Sequence, residues 1–132
     1  MKLKELMRYS FCCGVLLFFG SCDPYSFTGF NFENSLNEQL TIEMVYSATA
    51  PVQGDTTFTI GPNSTIQFAQ YEEKNSKPTI GFAEFGDLYS SIIARKANGD
   101  RSVVFTNESQ WSLKVDKTDA DYCLIIEESD FE

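Results

Sequence analysis

The stretch LTIEMVY at residues 40–46 decides the fold class. Apolar side chains stand at Leu40, Ile42, Met44 and Tyr46, and polar side chains stand at the first two positions between them. Successive side chains of a β-strand point to opposite faces, so this alternation predicts a half-buried strand. No helical periodicity is sustained anywhere in residues 29–132, which favours a domain built from strands.

Other short alternating or β-branched runs lie on both sides of this stretch. They fall at residues 30–32, 56–60, 66–68, 91–95, 102–106, 111–115 and 122–127. Turn-forming residues separate them, most clearly at Gly61-Pro62-Asn63-Ser64. Seven or eight such strands predict an all-β fold, an antiparallel sandwich or barrel. The uneven loops favour a two-sheet sandwich. It is immunoglobulin-like in architecture only, since the Cys…Trp…Cys pattern of antibody domains is missing.

The most specific local prediction is a β-hairpin between residues 91–95 and 102–106. Asn98-Gly99 lies between these two runs. Both residue types tolerate the positive φ angles of a type I′ turn, whose twist matches that of paired strands. The sequence therefore predicts Asn98 and Gly99 at the tip of the hairpin.

The first 22 residues have the layout of a secretory signal peptide rather than of a core helix. Three basic residues outweigh one acidic residue in positions 1–8, and an apolar run follows at 11–19. That run is far shorter than the ~20 residues that span a bilayer as a helix. Gly20 and Ser21 then supply small residues before Cys22. We expect the peptide to be removed.

Phe19-Gly20-Ser21-Cys22 resembles the lipobox of bacterial lipoproteins, although Phe19 replaces the usual Leu. The resemblance implies cleavage before Cys22, diacylglyceryl on its sulfur and acylation of the new amine. Ordinary cleavage, leaving a free thiol, is the alternative. The expected organisation is a signal peptide at 1–21, a lipidated cysteine with a short tether at 22–28, and a β-sandwich domain at 29–132. The expected partner is thus a lipid bilayer, held through acylated Cys22.

Charge narrows the possible partners. Residues 22–132 carry seven Lys and Arg against 18 Asp and Glu, a net charge of −11. A protein this acidic repels phosphate backbones and anionic surfaces, so nucleic-acid binding is excluded and membrane attachment depends on the lipid.

The missing residue types exclude most catalytic chemistry. The chain has no histidine, and Cys123 is the only thiol of the predicted domain. Histidine triads, imidazole metal ligands and intrachain disulfides are therefore absent, and no glycine-rich phosphate loop is present. Cys123 stands within a predicted strand, which indicates an inert, buried side chain. We expect no enzyme activity, no catalytic residues, no metal and no cofactor.

Aromatic and acidic clusters supply the remaining candidate sites. Phe82, Phe85 and Tyr89 lie between flexible glycines and form a possible ligand or partner loop, against the alternative that they plug one end of the sandwich. Trp111 has the same two possible roles, as part of a ligand-binding surface or as part of the core. Acidic clusters at 72–73, 116–121 and 127–130 are expected to be solvated edges. A carboxylate pair of a hydrolase, or calcium bound at 116–121, are the alternatives.

Spaced motifs along the chain carry a second resemblance. They are Phe32, Asn34, Leu40, Ile42, Ile60-Gly61-Pro62, Ser64, Asn98-Gly99, Trp111, Tyr122, Leu124, Ile126 and Asp130-Phe131. In this order they are similar to small β-sandwich lipoproteins of Bacteroides-type bacteria. The resemblance implies a β-sandwich fold and attachment to the cell envelope, and it implies no active site. Asp55-Thr56-Thr57 also resembles the O-glycosylation acceptor of envelope proteins in that group, with Thr56 as the expected site.

These observations predict an exported protein, lipid-anchored in the outer membrane, with both the periplasmic and the surface face left open. The expected function is a non-enzymatic module that binds an envelope protein or a glycan. The alternatives are a carbohydrate-binding or carboxylate-based hydrolase accessory protein, and a structural subunit that assembles by β-strand addition.

Overall fold

The computed structural model describes residues 25–51 and 55–132. The predicted signal peptide, the lipobox-like residues 19–22 and the predicted tether up to residue 24 lie outside the described residues. The strands are β1 (Ser26–Asn34), β2 (Leu40–Tyr46), β3 (Asp55–Ile60), β4 (Ser64–Glu73), β5 (Tyr89–Lys96), β6 (Ser112–Asp116) and β7 (Asp119–Ile126). One short α-helix, α1 (Phe82–Gly86), precedes β5, and 3-10 turns lie at Glu108–Gln110 and Glu128–Asp130.

The strands form two sheets, in the orders β4-β1-β7-β6 and β3-β2-β5. The predicted all-β, two-sheet sandwich of seven or eight strands is confirmed for the described residues, which form seven strands. One pair departs from a fully antiparallel arrangement, because β1 runs parallel to β7. Parallel neighbours need a long connection. Here almost the whole domain separates β1 from β7 along the chain, so the arrangement is sterically accessible.

An aromatic core holds the two sheets together. The Phe30 ring is stacked between Phe85 and Tyr122, with ring centroids 4.0 and 5.0 Å away. Phe32 contacts Phe58 of the opposite sheet edge to face, at 5.5 Å. Stacked and edge-to-face pairs of this kind add to the free energy gained by burying apolar area. The aromatic side chains of this sequence therefore mainly fill the core.

The first strand begins earlier than the sequence predicts. The tether was expected to reach residue 28, whereas β1 starts at Ser26. Ser26 and Thr28 are fully buried, and the Thr28 hydroxyl donates to the Ile80 carbonyl at 3.1 Å. Because these core-facing residues are polar, the start of this strand does not show the apolar–polar alternation by which a strand is recognised in a sequence. The tether before the folded domain is correspondingly shorter.

The predicted hairpin has the expected tip and a different turn. Gly99 has a φ of 98°, and Asn98 is not among the described residues with positive φ. The Gly99 amide donates to the Lys96 carbonyl at 3.0 Å, and the Lys96 amide donates to the Asp100 carbonyl at 2.9 Å. This is the pattern of a three-residue loop that closes with a left-handed glycine, rather than of a type I′ turn.

The second arm of the hairpin is also irregular. The Ser102 and Phe105 amides donate to the β5 carbonyls of Ala94 and Ile92, each at 2.9 Å. Between them, the Val103 amide turns away to the carbonyl of Asp130. Residues 101–105 are called the cover segment below, because they pair with the free side of β5.

The sandwich has two ends that matter for function. The N-terminal end holds the start of β1, the loop at residues 74–81 and the two-residue turn 117–118 between β6 and β7. The far end holds residues 35–39, 61–63, 97–100 and 127–132. The segment predicted as a loop at 116–120 is thus reduced to a tight turn, with Lys117 at a φ of 41°.

Candidate functional site

The predicted aromatic loop lies inside the core. Phe82, Phe85 and Tyr89 are 6%, 0% and 7% exposed. Helix α1 places Phe82 and Phe85 on one face, since residues three apart are neighbours on a helix, and that face enters the space between the sheets. The three side chains present no open platform on which a sugar ring could stack. They plug one end of the sandwich instead.

Trp111 is in the same situation. It is 6% exposed, and its indole N–H donates to the Phe105 carbonyl at 3.1 Å. Its ring contacts Phe32 and Phe85 edge to face, at 5.3 and 5.5 Å. A buried tryptophan with its polar atom bonded is a core residue. The main support for carbohydrate stacking is therefore lost.

The expected glycosylation site lies within a strand. Thr56 belongs to β3 and is paired directly with Met44 of β2, which is fully buried. Directly paired residues point to the same face of a sheet, so the half-buried Thr56 side chain points toward the core. This position does not favour a bulky polar modification on the folded domain.

The acidic residues of the 116–121 segment do not converge on one site. Asp116 and Asp119 face each other where β6 meets β7, and Asp121 lies farther along β7 opposite Lys114. Within residues 25–51 and 55–132, no group of three or more His, Cys, Asp or Glu is arranged to hold a metal ion. The 116–121 segment therefore gives no support to the calcium alternative.

Glu73 has a structural role that the sequence did not indicate. Its carboxylate accepts hydrogen bonds from the amides of Ile80 and Thr79, at 3.0 and 2.8 Å, and from the Thr79 hydroxyl. The bond from the Ile80 amide, followed by that from the Thr79 hydroxyl, lowers the pKa of Glu73. This carboxylate closes the 74–81 loop back onto the end of β4.

Cys123 lies half-buried on the outer face of β7, rather than in the core. Its Sγ is 4.0 Å from Oε2 of Glu33. Burial raises the pKa of the Cys123 thiol, and the charges of Glu33 and Asp121 raise it further. A raised pKa favours the thiol over the reactive thiolate, so the environment disfavours a nucleophilic role.

An acidic cleft at the far end was not foreseen. It is open, has a volume of about 460 Å³ and is lined by residues 35–38 with Glu127 and Glu128. Beside it, Lys96 is only 7% exposed, contacts Glu128, and lies 3.8 Å from Glu38. The bond to Glu128 raises the pKa of Lys96. The ammonium also lies 4.7 Å from the Phe131 ring centroid, which ties the C-terminal segment to β5.

The second unforeseen feature is the free edge at β6. All five residues of this strand are exposed. Leu113 and Val115 are paired with Tyr122 and Ala120 of β7, both of which are buried. Leu113 and Val115 therefore point to the core-facing side of the sheet, yet they are 50% and 65% exposed. The described chain leaves most of this side of β6 open.

The other three edge strands differ from β6, since none of them exposes a large apolar side chain. Cover-segment amides bond to the free side of β5. In β4, the register with β1 shifts at Phe30, and such bulges disrupt strand addition. In β3, the core-facing Phe58 is half-buried, and its ring stacks on Phe68 of β4, with centroids 5.1 Å apart. Among the described strands, β6 alone combines an unpaired edge with exposed apolar side chains on the core-facing side.

Comparison with protein-family models, with curated proteins and with solved structures finds no match to this chain. In the described part of the chain, no helix has the length and apolar character needed to span a membrane.

Proposed function

We propose that this chain is a lipid-anchored, non-enzymatic interaction module of the cell envelope, and that it binds a partner protein by strand addition along β6. The observation that carries the proposal is the exposure of Leu113 and Val115, 50% and 65%, on the core-facing side of an unpaired edge strand. Soluble domains normally cover or charge such edges, since an open one is a template for another chain.

The chemistry of β6 defines the partner. An added strand gains main-chain hydrogen bonds from the free side of β6, and its side chains alternate between the two faces of the enlarged sheet. On the core-facing side it meets Leu113 and Val115, which favours apolar residues at alternate positions. On the outer side it meets Lys114. An acidic residue beside this lysine would form a favourable cross-strand pair. The partner is thus an extended segment with one apolar and one acidic or neutral face.

A second copy on the same membrane does not fit this edge. Antiparallel pairing of two β6 strands by a twofold axis turns one domain upside down relative to the other. The nine residues of β1 extend about 26 Å, at ~3.3 Å for each step between residues. The three steps from Cys22 to Tyr25 reach only ~10 Å. When the domains stand upright, the inverted copy could not return to the bilayer, which favours a different chain as the partner.

The anchor is the other half of the proposal. It rests on the lipobox resemblance at residues 19–22 and on the net charge of −11, which leaves the domain without a basic surface that would hold it on a membrane. Replacing Cys22→Ser is expected to move the protein from the membrane fraction to the soluble fraction. Retention of Cys22→Ser protein in washed membranes would contradict the anchor.

Position-dependent photocrosslinking tests the binding edge. Mature chain that carries Cys22→Ser and Cys123→Ser receives a single new thiol by Leu113→Cys or Val115→Cys. Each thiol is coupled to a benzophenone and irradiated with solubilised envelope from the native host. Val104→Cys is the matched control, because Val104 is 48% exposed and lies outside β6.

We expect one adduct of the same mass from positions 113 and 115, none from 104, and the same pattern with the purified partner. Equal adduct yields at all three positions, or no adduct from β6, would contradict binding at this edge.

A further inference from the structure

The position of the first described residues fixes which end of the sandwich lies next to the anchor. Tyr25 is 44% exposed, directly before β1. The Phe27 amide donates to the Thr118 carbonyl at 3.1 Å, and Phe27 pairs with Asp119. At the other side of β1, Ser26 pairs with Glu73, which closes the 74–81 loop. The chain therefore enters the fold between the 74–81 loop and the 117–118 turn.

The tether is too short to allow the opposite orientation. Three chain steps separate Cys22 from Tyr25, and a fully extended chain covers ~10 Å in that distance. The far end of β1 lies about 26 Å from its start, at ~3.3 Å for each of its steps. A domain held at Cys22 can stand upright or tilt. It cannot rest on the membrane with its far end while its N-terminal end points away.

Charge does not distinguish the two ends. Lys74, Lys77 and Lys117 lie at the N-terminal end, and exposed carboxylates lie there as well, at Glu84, Asp87, Asp116 and Asp119. The far end also holds carboxylates, at Glu38, Asp100, Glu127, Glu128, Asp130 and Glu132. The short tether, rather than charge, therefore sets the orientation.

From the position of the tether we infer that the domain stands on the lipid surface with the 74–81 loop and the 117–118 turn toward the bilayer, and presents the acidic cleft at the far end outward. The inference rests on the proposed anchor at Cys22. In this orientation β6 runs steeply to the membrane plane, with its last residue, Asp116, nearest the lipid. Its open edge faces sideways, where a neighbouring envelope protein can reach it.

Energy transfer to labelled lipid tests the orientation. Mature chain with Cys123→Ser is coupled through Cys22 to a maleimide lipid in phosphatidylcholine vesicles that contain an acceptor-labelled lipid. A donor dye is attached through an azide-bearing residue at position 75, in the proximal loop, or at position 97, in the far turn. Both Asn75 and Ala97 are exposed. Transfer from position 75 is expected to exceed that from position 97 severalfold.

In this experiment the lipid is attached chemically. A wrong orientation and the absence of native lipidation therefore give different results. Equal transfer from the two positions, or stronger transfer from 97, overturns the orientation whatever Cys22→Ser shows in cells. Cys22→Ser protein retained in membranes overturns the anchor on which the inference rests.

Discussion

The chain protects the free side of β5 and leaves the free side of β6 open. At β5, the cover segment donates backbone hydrogen bonds from Ser102 and Phe105, and Phe105 is 2% exposed. At β6, Leu113 and Val115 are 50% and 65% exposed. β6 alternates apolar and polar residues in the manner of a half-buried strand, so its local sequence does not explain why it stays open. One edge is therefore part of the packed fold, whereas the other stays open, and we propose that the open edge binds a partner.

The largest contrast is expected from truncating one apolar side chain at each edge. Phe105→Ala removes a buried ring and is expected to lower the free energy of unfolding by about 3–5 kcal/mol. Leu113→Ala removes a half-exposed side chain and should cost less than about 1 kcal/mol. Urea denaturation of the mature domain measures both. Similar losses for the two variants would show that the edges do not differ in this way.

The next largest effect is expected at alkaline pH, which should lower the free energy of unfolding through two residues of β5, Tyr89 and Lys96. Burial, followed by the neighbouring Tyr46, raises the pKa of Tyr89 above its ordinary value of 10.0. The bond to Glu128 raises the pKa of Lys96 above 10.5. The folded chain thus holds these protons more tightly than the unfolded chain, so their contribution is complete below pH 10 and is lost as the pH rises.

Urea midpoints between pH 8 and pH 11.5 check this titration. Tyr89→Phe has no hydroxyl to ionise and is expected to lose less stability at high pH than the wild type. Tyr25→Phe changes an exposed tyrosine outside the core and serves as the control. A Tyr89→Phe profile parallel to that of the wild type would count against the role of this hydroxyl.

A smaller effect is expected at the turn that leads into the cover segment. Gly99 has a φ of 98°, a conformation that L-residues other than glycine rarely adopt. No neighbouring atom would obstruct a methyl group there, so strain of the backbone is the only cost. Gly99→Ala is expected to destabilise the domain by ~1 kcal/mol in urea denaturation. Ala97→Ser, at an exposed position of the same turn, should stay within about 0.5 kcal/mol of the wild type.

The smallest effect on stability is expected at β6. Leu113→Ser/Val115→Ser should change the free energy of unfolding by less than about 1 kcal/mol, because exposed substitutions away from packed features cost little. The same variant should lose competition for the photocrosslinked partner, measured by adding it in excess during irradiation. Full competition would mean that these side chains are not needed for binding.

Some features of the molecule follow from its local sequence. The alternation at residues 40–46 predicted β2, and Asn98-Gly99 predicted the hairpin tip. The aromatic residues Phe82 and Phe85 allowed two readings, and only their packing against Phe30 distinguishes them. The five-residue helix that carries them is too short to give a periodic signal.

The candidate surfaces could not be predicted in the same way. The alternation at Leu113 and Val115 is the same signal that marks a core strand. Whether such residues are covered depends on what lies opposite, which is a property of the whole fold. The far-end cleft likewise joins Glu38 with Glu127 and Glu128, which are distant in sequence. Nonlocal packing, rather than residue type, defines both surfaces.

Hydrogen exchange of the backbone amides of β5 and β6 tests the central claim most directly, on the free mature domain and on the domain bound to its photocrosslinked partner. Amides of β5 that bond within the domain should exchange slowly in both states. Amides on the free side of β6 should exchange fast in the free domain and become protected in the complex. Binding that protects another surface and leaves β6 exchanging fast would contradict strand addition at this edge.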